Sequence, residues 1–298
     1  MDKFKINGPS KIRGEVSISG SKNAALPILA ATLLFDKNVT IKNLPRVKDI
    51  DTMLNLLKSL GKNISFKNNK KIATISKGKK NNFFAPYSLV KTMRAGILVL
   101  GPLLAKNKKA KVSSPGGCSI GVRPIDIHLK AISKLGVKIQ IEKGYVNAKA
   151  EGGLVGSEIR FSKISVGATE NLILAACLAK GTTTIKNCAI EPEIKDLTNF
   201  LKTAGAKIKW IGKRTLKIEG VKTLKSITYS IMNDRIEAGT FCVAACLNSG
   251  NLKIKNFEPK VINTEINLLK KIGAKIKTTK NTIQIKGPKK IRSLDFLK

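Results

Sequence analysis

Acidic residues are scarce: 19 Asp and Glu stand against 56 Lys and Arg, leaving a formal charge of +37. A charge of that size ordinarily points to a nucleic-acid surface, but the features that accompany one are missing. Arginine occurs only eight times, and aromatic residues make up 5% of the chain with a single Trp. No stacking platform for bases is therefore visible, and the lysines run through every segment instead of forming a stripe. Nucleic acid is not the expected partner, a basic RNA-associated protein stands as the alternative from another class, and an anionic substrate gains from such a field in either case. Long apolar runs are also absent. The longest, 96–105, contains Pro102 and falls well short of the ~20 residues that cross a bilayer, so no membrane partner is expected. The start of the chain leads directly into a strand-like segment with no secretory pattern. The five cysteines (118, 177, 188, 242 and 246) lack paired CxxC spacing, which excludes an obvious zinc site. Four of them, in apolar or small-residue settings, read as reduced, structural thiols of a cytoplasmic protein. Cys242 and Cys246 share a helix face. The only histidine, His128, has no partner in the sequence and is expected to pack or cap, not to catalyse. No metal or cofactor is implied.

What the chain does contain is 298 residues, 42% of them hydrophobic, enough to bury a sizeable core in about two domains. It also contains a repeat. A helix that ends in Leu-Gly, Ala-Gly or Ile-Gly and is followed by a Lys-Ile or Asn-Ile strand occurs four times, with glycines at Gly61, Gly136, Gly205 and Gly273. Glycine at that place suits a left-handed helix C-cap. Ahead of each stop the periodicity predicts an amphipathic helix, over 47–60, 124–135, 191–204 and 258–272, and after it two short alternating strands joined by a polar turn. Upstream in each unit lies a second helix, over 23–34, 90–105, 168–179 and 236–247, apolar around nearly its whole circumference and hence buried among other elements. Each unit is roughly β-α-β-α-β-β, about 70 residues of α/β repeat. Four units do not fill two domains evenly, and the sequence stops soon after the fourth hairpin, which reads as truncation.

One stretch carries candidate chemistry. Ser113-Ser114-Pro115-Gly116-Gly117-Cys118-Ser119-Ile120-Gly121-Val122-Arg123-Pro124-Ile125-Asp126-Ile127-His128 places a cysteine in a glycine-rich loop, just ahead of an arginine and a helix start. The three glycines let the loop bend over a ligand or swing as a lid. A thiol exposed beside Arg123 and a helix N-terminus loses its proton more readily than a free one. The bland reading is a free cysteine in an ordinary turn. Arg94 is an arginine within an apolar helix, where a charge needs a partner.

These residues, together with Ser19-Gly20-Ser21-Lys22-Asn23-Ala24-Ala25-Leu26-Pro27, Met93-Arg94-Ala95, Lys163-Ile164-Ser165-Val166-Gly167-Ala168-Thr169 and Asp234-Arg235-Ile236-Glu237-Ala238-Gly239, resemble the UDP-N-acetylglucosamine 1-carboxyvinyltransferase family of enolpyruvyl transferases, in order along the whole chain. The resemblance implies the enolpyruvyl transferase fold, an inside-out α/β barrel in which each domain holds three such units, helices inside and sheets outside. Here 22–232 would be one complete three-unit domain carrying the catalytic loop, and 1–21 with 233–298 an incomplete domain holding one unit of three. The implied activity transfers the enolpyruvyl group of phosphoenolpyruvate to the 3-hydroxyl of UDP-N-acetylglucosamine, the first committed step of peptidoglycan precursor synthesis.

By the same resemblance Cys118 protonates the methylene carbon of phosphoenolpyruvate and can form a covalent phospholactoyl adduct. Lys22, Asn23 and Arg123 bind phosphoenolpyruvate, as ammonium and guanidinium groups suit phosphate and carboxylate. The nucleotide-sugar is assigned to Arg94, Arg123, Pro124, Ile125, Asp126, Ile127, Lys163, Ser165, Val166 and Gly167, the last group at a helix N-terminus suited to a diphosphate. Taken alone, Lys22 is one lysine among many, Asn23 an N-cap and Gly167 a simple helix opening. Asp234, Arg235 and Glu237 are read as a structural ion pair or part of a cleft. The family's acidic base toward the sugar hydroxyl, and further arginines over phosphoenolpyruvate, match no position in this sequence. The chain alone is then expected to turn over little or not at all, and to self-associate through the incomplete domain. The 5-enolpyruvylshikimate-3-phosphate synthase branch shares the repeat but lacks the loop cysteine and differs around the Ser-Lys pair, so Cys118 and Lys22-Asn23-Ala24 separate the two. A non-catalytic fragment would bind neither ligand.

Overall fold

The computed structural model describes residues 3–8, 11–80, 82–115, 124–247 and 249–294. In chain order its elements are β1 (Arg13–Ser17), α1 (Lys22–Ala31), β2 (Val39–Lys42), α2 (Lys48–Ser59), β3 (Lys62–Lys67), β4 (Ile72–Lys77), β5 (Phe84–Ala85), α3 (Tyr87–Val90), α4 (Leu100–Asn107), β6 (Lys109–Ser113), α5 (Asp126–Ser133), β7 (Lys138–Glu142), β8 (Tyr145–Lys149) and β9 (Glu158–Arg160). They continue with α6 (Val166–Ala176), β10 (Thr182–Lys186), α7 (Pro192–Thr203), β11 (Lys207–Gly212), β12 (Thr215–Glu219), β13 (Ile227–Ser230), α8 (Arg235–Leu247), β14 (Asn251–Lys255), α9 (Asn263–Lys271), β15 (Lys275–Thr278) and β16 (Thr282–Lys286). Short 3₁₀ segments occupy Thr32–Leu34, Arg94–Val99 and Pro259–Ile262.

The strands form four sheets built to one plan, ordered β1-β14-β16-β15, β13-β2-β4-β3, β5-β6-β8-β7 and β9-β10-β12-β11. In each, the first two strands are parallel and the remaining pairs antiparallel. A parallel pair needs a crossover; between β5 and β6 and between β9 and β10 the apolar helix of the repeat supplies it, whereas the β13–β2 and β1–β14 pairs join strands from distant parts of the chain. The antiparallel pair is the hairpin that follows each glycine stop. All four of those glycines have positive φ: Gly61 at 94°, Gly136 at 85°, Gly205 at 97° and Gly273 at 106°. Each amide donates to the carbonyl three residues back, at 3.0 Å in Gly61, so the helix ends where only glycine turns without strain. A second repeated device is the Ile-Lys-Asn at the end of β2, β10 and β14, whose asparagines Asn43, Asn187 and Asn256 take left-handed backbone. Asn43 donates its side-chain amide to the Ile231 carbonyl at 2.9 Å, and Asn187 donates to Phe161 at 3.0 Å. In both cases the end of one parallel strand is clamped to its neighbour.

The chain divides into two compact units, Lys22–Met232 and Met1–Ser21 with Asn233–Lys298. The larger unit holds three of the sheets. Its last strand, β13, pairs with β2 near its start, closing three repeats into a ring. Helices α1 and α6 are buried almost end to end, while α2 and α7 bury one face. The sheets lie outside, turning alternate residues inward, such as Ala73 and Ile75, Val146 and Ala148, or Leu216 and Ile218. In the smaller unit, Ala238, Cys242, Ala245 and Cys246 of α8 pack on Leu252, Ile254, Ile283 and Ile285. The structure therefore has the fold class expected, with helices inside and sheets outside.

One helix differs from expectation. The segment 90–105 is not continuous: α3 stops at Val90, Met93 is extended at φ −139°, and a 3₁₀ turn from Arg94 leads into α4. The chain folds back so sharply that a Cβ on Gly96 would stand 3.0 Å from the Val90 side chain, residues that an uninterrupted helix would hold ~9 Å apart at 1.5 Å per residue. The break is paid for by Asn171 of α6, which is fully buried: its Oδ1 accepts from the Gly101 amide at 2.8 Å and its amide donates to the Ile97 carbonyl at 2.9 Å.

Candidate functional site

Arg94 opens the 3₁₀ turn, half-buried, so the broken helix places a guanidinium at the start of a rigid segment and not in its middle. Its Nη2 donates to the Pro124 carbonyl in a long hydrogen bond of 3.5 Å, linking the turn to the Pro124–Asp126 stretch that precedes α5. Ile125 and Ile127 anchor that stretch by packing against the core. Asp126 begins α5, where a carboxylate is favoured by the helix dipole, and pairs with Lys130 at 3.8 Å.

The start of α6 meets this group from the other side. Ser165 is the N-cap, its hydroxyl accepting from the Ala168 amide at 3.3 Å. Thr169 donates to the Ser165 carbonyl at 2.7 Å and accepts from the Ala189 amide. A Cβ on Gly167 would lie 3.1 Å from His128 Cε1 and 3.3 Å from its Nε2, so Gly167 is what lets the imidazole lie against the first turn of α6. His128 is 3% exposed and its Nδ1 lies 3.4 Å from the Asn171 amide. Burial first, then the Arg94 charge, pull its pKa down to about 4, with Asp126 pulling weakly the other way. The ring is neutral at physiological pH.

Three separated motifs are thus joined: Arg94, the segment from Pro124 to Ile127, and Ser165 with Val166 and Gly167. Lys163 is exposed on the loop ahead of α6. Lys22 begins α1 and is held by Asp49 at 3.0 Å. Asn23 is exposed in the first turn, inside the helix and not at its cap. Cys118 and Arg123, with Gly116, Gly117 and Gly121, lie outside the described residues. The other four cysteines are buried and free, and burial raises their thiols, Cys177 and Cys242 to about 12 and Cys188 to about 11. In the smaller unit Asp234 caps α8, accepting from the Ile236 and Glu237 amides at 2.8 and 3.1 Å. Glu237 accepts from the Ser19 amide and hydroxyl. Both acidic groups hold the start of that helix. Among the described residues no group of His, Cys, Asp and Glu is arranged to hold a metal, and no helix is long and apolar enough to cross a membrane.

Asn171 is the residue that sequence reasoning missed. An amide inside an otherwise apolar helix requires buried partners, which was the available signal; which backbone groups it would meet was not.

Comparison with known proteins places this geometry. The family model described as EPSP synthase (3-phosphoshikimate 1-carboxyvinyltransferase) matches residues 6–296. The UDP-N-acetylglucosamine 1-carboxyvinyltransferase of Pelagibacter ubique is 63% identical over 296 residues, 99% of this chain and 70% of that protein. The protein of the same name from Idiomarina loihiensis is 47% identical, over all of this chain and 71% of its own length. Among solved structures, an enolpyruvyl transferase from Streptomyces tendae aligns with a TM-score of 0.83 at 20% identity, covering 95% of this chain and 68% of that one. An EPSP synthase from Acinetobacter baumannii aligns at 0.75 and 19%, over 96% of this chain and 67% of that one. Those likenesses carry the fold; the high sequence identity across nearly the whole chain carries the rest, and the chain belongs to the UDP-N-acetylglucosamine 1-carboxyvinyltransferase family of enolpyruvyl transferases.

Proposed function

We propose that this chain binds UDP-N-acetylglucosamine and phosphoenolpyruvate and serves the transfer of the enolpyruvyl group to the sugar 3-hydroxyl, with release of phosphate. In the cell this is the committed step toward peptidoglycan, and so toward wall growth, shape and division, carried out in the cytoplasm. The observation that carries the reading is the convergence of Arg94, the Pro124–Ile127 segment and the first turn of α6. Arg94 supplies a cation, and the first-turn amides of Val166 and Gly167 at a helix N-terminus suit the diphosphate. The neutral His128 beneath them adds no competing charge. Asp126 and Ile127, with Arg123, Pro124 and Ile125, shape the uridine side, and Lys163 and Ser165 flank the diphosphate.

On the phosphoenolpyruvate side, Lys22, Asn23 and Arg123 take the phosphate and carboxylate. Asp49 holds the Lys22 ammonium in place, an exposed pair at 3.0 Å whose direct stability contribution is small. Cys118 gives its proton to the methylene carbon as the sugar oxygen attacks the adjacent carbon and the hydroxyl proton is lost, and departure of phosphate with one proton of the new methyl group restores the double bond. The first step requires a thiol that stays protonated until substrate arrives. Its four buried fellows cannot substitute. Isothermal titration of the chain with UDP-N-acetylglucosamine tests the proposal. Saturable binding weakened at least ~10-fold in Arg94→Ala, the scale of a lost charge-assisted contact, supports it; equal affinity in the variant overturns it.

A further inference from the structure

In the larger unit lies a cavity of about 250 Å³, lined by Leu33, Phe35, Asp36, Lys62, Lys77, Lys80 and Lys106 among others, none of them a residue of the candidate site. Leu33 follows Lys22 by eleven residues along α1 and its 3₁₀ tail, which at 1.5 Å per residue is ~16 Å. The cavity is therefore distinct from the candidate site. Four of its walls are lysines and one is a carboxylate. Asp36 already serves two of them, accepting from Lys106 at 2.7 Å and pairing with Lys77 at 3.3 Å. Lys80 is exposed and has no ion-pair partner among the described residues. Lys62 is 8% exposed, and its ammonium donates to the Phe35 carbonyl at 2.7 Å.

This arrangement is out of balance. Burying an ammonium is costly unless it is paired; of the four lysines Lys62 is the buried one, the contact it makes is to a neutral carbonyl, and the nearby carboxylate is already engaged by Lys77 and Lys106. Burial holds the Lys62 pKa down to about 8, Asp36 opposing and the Lys106 and Lys77 charges adding to the fall. An ion with three or four acceptor oxygens would satisfy several ammonium groups at once. The volume equals that of roughly eight waters at ~30 Å³ each, room for such an ion with part of its hydration shell.

We propose that this cavity is a second anion site, built by Lys62, Lys77, Lys80 and Lys106 for a multivalent oxyanion of the phosphate class. The bound ion sits against Lys62 and relieves the crowding of lysines on Asp36. The site takes the phosphate group either as the free ion or as a monoester.

The test reads Lys62 directly. The full chain is treated with a small acylating reagent at fixed ionic strength, and the rate of Lys62 modification is followed by peptide mass spectrometry while inorganic phosphate replaces chloride. An anion within hydrogen-bonding reach raises an amine pKa by at least about one unit, so saturating phosphate is expected to slow Lys62 modification ~10-fold. Glycerol phosphate in a parallel series separates the sources: protection by both probes assigns the site to the phosphate group, and protection by inorganic phosphate alone assigns it to the free ion. The double variant K77Q/K80Q alters two exposed side chains and should melt like the parent while losing the protection, whereas R94A should keep it. Slowing that never saturates, protection that survives K77Q/K80Q, or protection abolished by R94A each overturns the proposal. Because R94A is the variant that tests nucleotide-sugar binding, failure here and failure there are distinguishable.

Discussion

Asn171 offers the sharpest perturbation of the frame that holds Arg94. Replacing it with Leu keeps the volume but removes both the acceptor for the Gly101 amide and the donor for the Ile97 carbonyl. Those backbone groups lie at the crossing of α4 and α6, where a Cβ on Gly101 would stand 2.4 Å from the Asn171 carbonyl, so water has no room to replace the side chain. A buried backbone group left without a partner costs ~1–3 kcal/mol, and two of them should cost about 3–4 kcal/mol after partial relaxation. For a domain of this size each kcal/mol lowers the melting temperature by ~2–4 °C. Thermal unfolding followed by circular dichroism should therefore show Asn171→Leu melting ~6–16 °C below the parent. Asn171→Asp keeps an acceptor for Gly101 but brings a buried charge and loses the donor, and should fare no better. An Asn171→Leu variant within ~0.5 kcal/mol of the parent, the range of an ordinary surface change, would refute the bracing role.

The single histidine makes a second prediction easy to read. His128 should show no titration by NMR between pH 5.5 and 8 and a midpoint near about 4; since its folded pKa lies below the unfolded value, it lowers stability as pH falls below ~6.5. Glu170 is buried beside Glu193 and Glu191, and burial first, then those two charges, raises its pKa well above 4.5. Its contribution to stability is full below the unfolded pKa and is lost as pH rises toward the folded one. Glu170→Gln should flatten the fall of stability above pH 5 in denaturant titrations; a slope unchanged from the parent would count against it. A Cβ on Gly220 would meet the Ala179 carbonyl oxygen at 1.7 Å, whereas one on Gly152 meets nothing within 4 Å. Gly220→Ala should cost at least ~3 kcal/mol, at or beyond the upper end of ordinary overpacking, and Gly152→Ala almost nothing, by urea melts of the two. Native alkylation should modify Cys118 ahead of the four buried cysteines, and equal labelling of all five would contradict their burial.

What was legible in the sequence was what local chemistry dictates. The four glycine stops, the hairpins after them and the one-sided helices such as α2 are fixed within a few residues, by a left-handed cap or by alternation. Arg94 stood out because arginine is rare in a lysine-rich chain. The break before α4 was not legible, because it is held by Asn171 from 70 residues away and nothing inside 90–105 requires it. Ring closure by β13 likewise depends on pairing such as Asn43 with Ile231, 188 residues apart. Lys62 could not be told from its many fellow lysines, since only the folded chain shows which one loses its water. His128 was readable as a packed residue, but its place under Gly167 needed the crossing of α5 and α6.

The central claim is that the nucleotide-sugar seats on Arg94 and the first turn of α6. His128 lies directly beneath Gly167 and feels the Arg94 charge, so its ring resonance is a built-in reporter. Titrating UDP-N-acetylglucosamine into the chain should move the His128 Cε1 signal saturably, and Arg94→Ala should shift the midpoint ~10-fold higher. A His128 signal unmoved at saturating ligand, or a midpoint unchanged in the variant, would contradict the assignment.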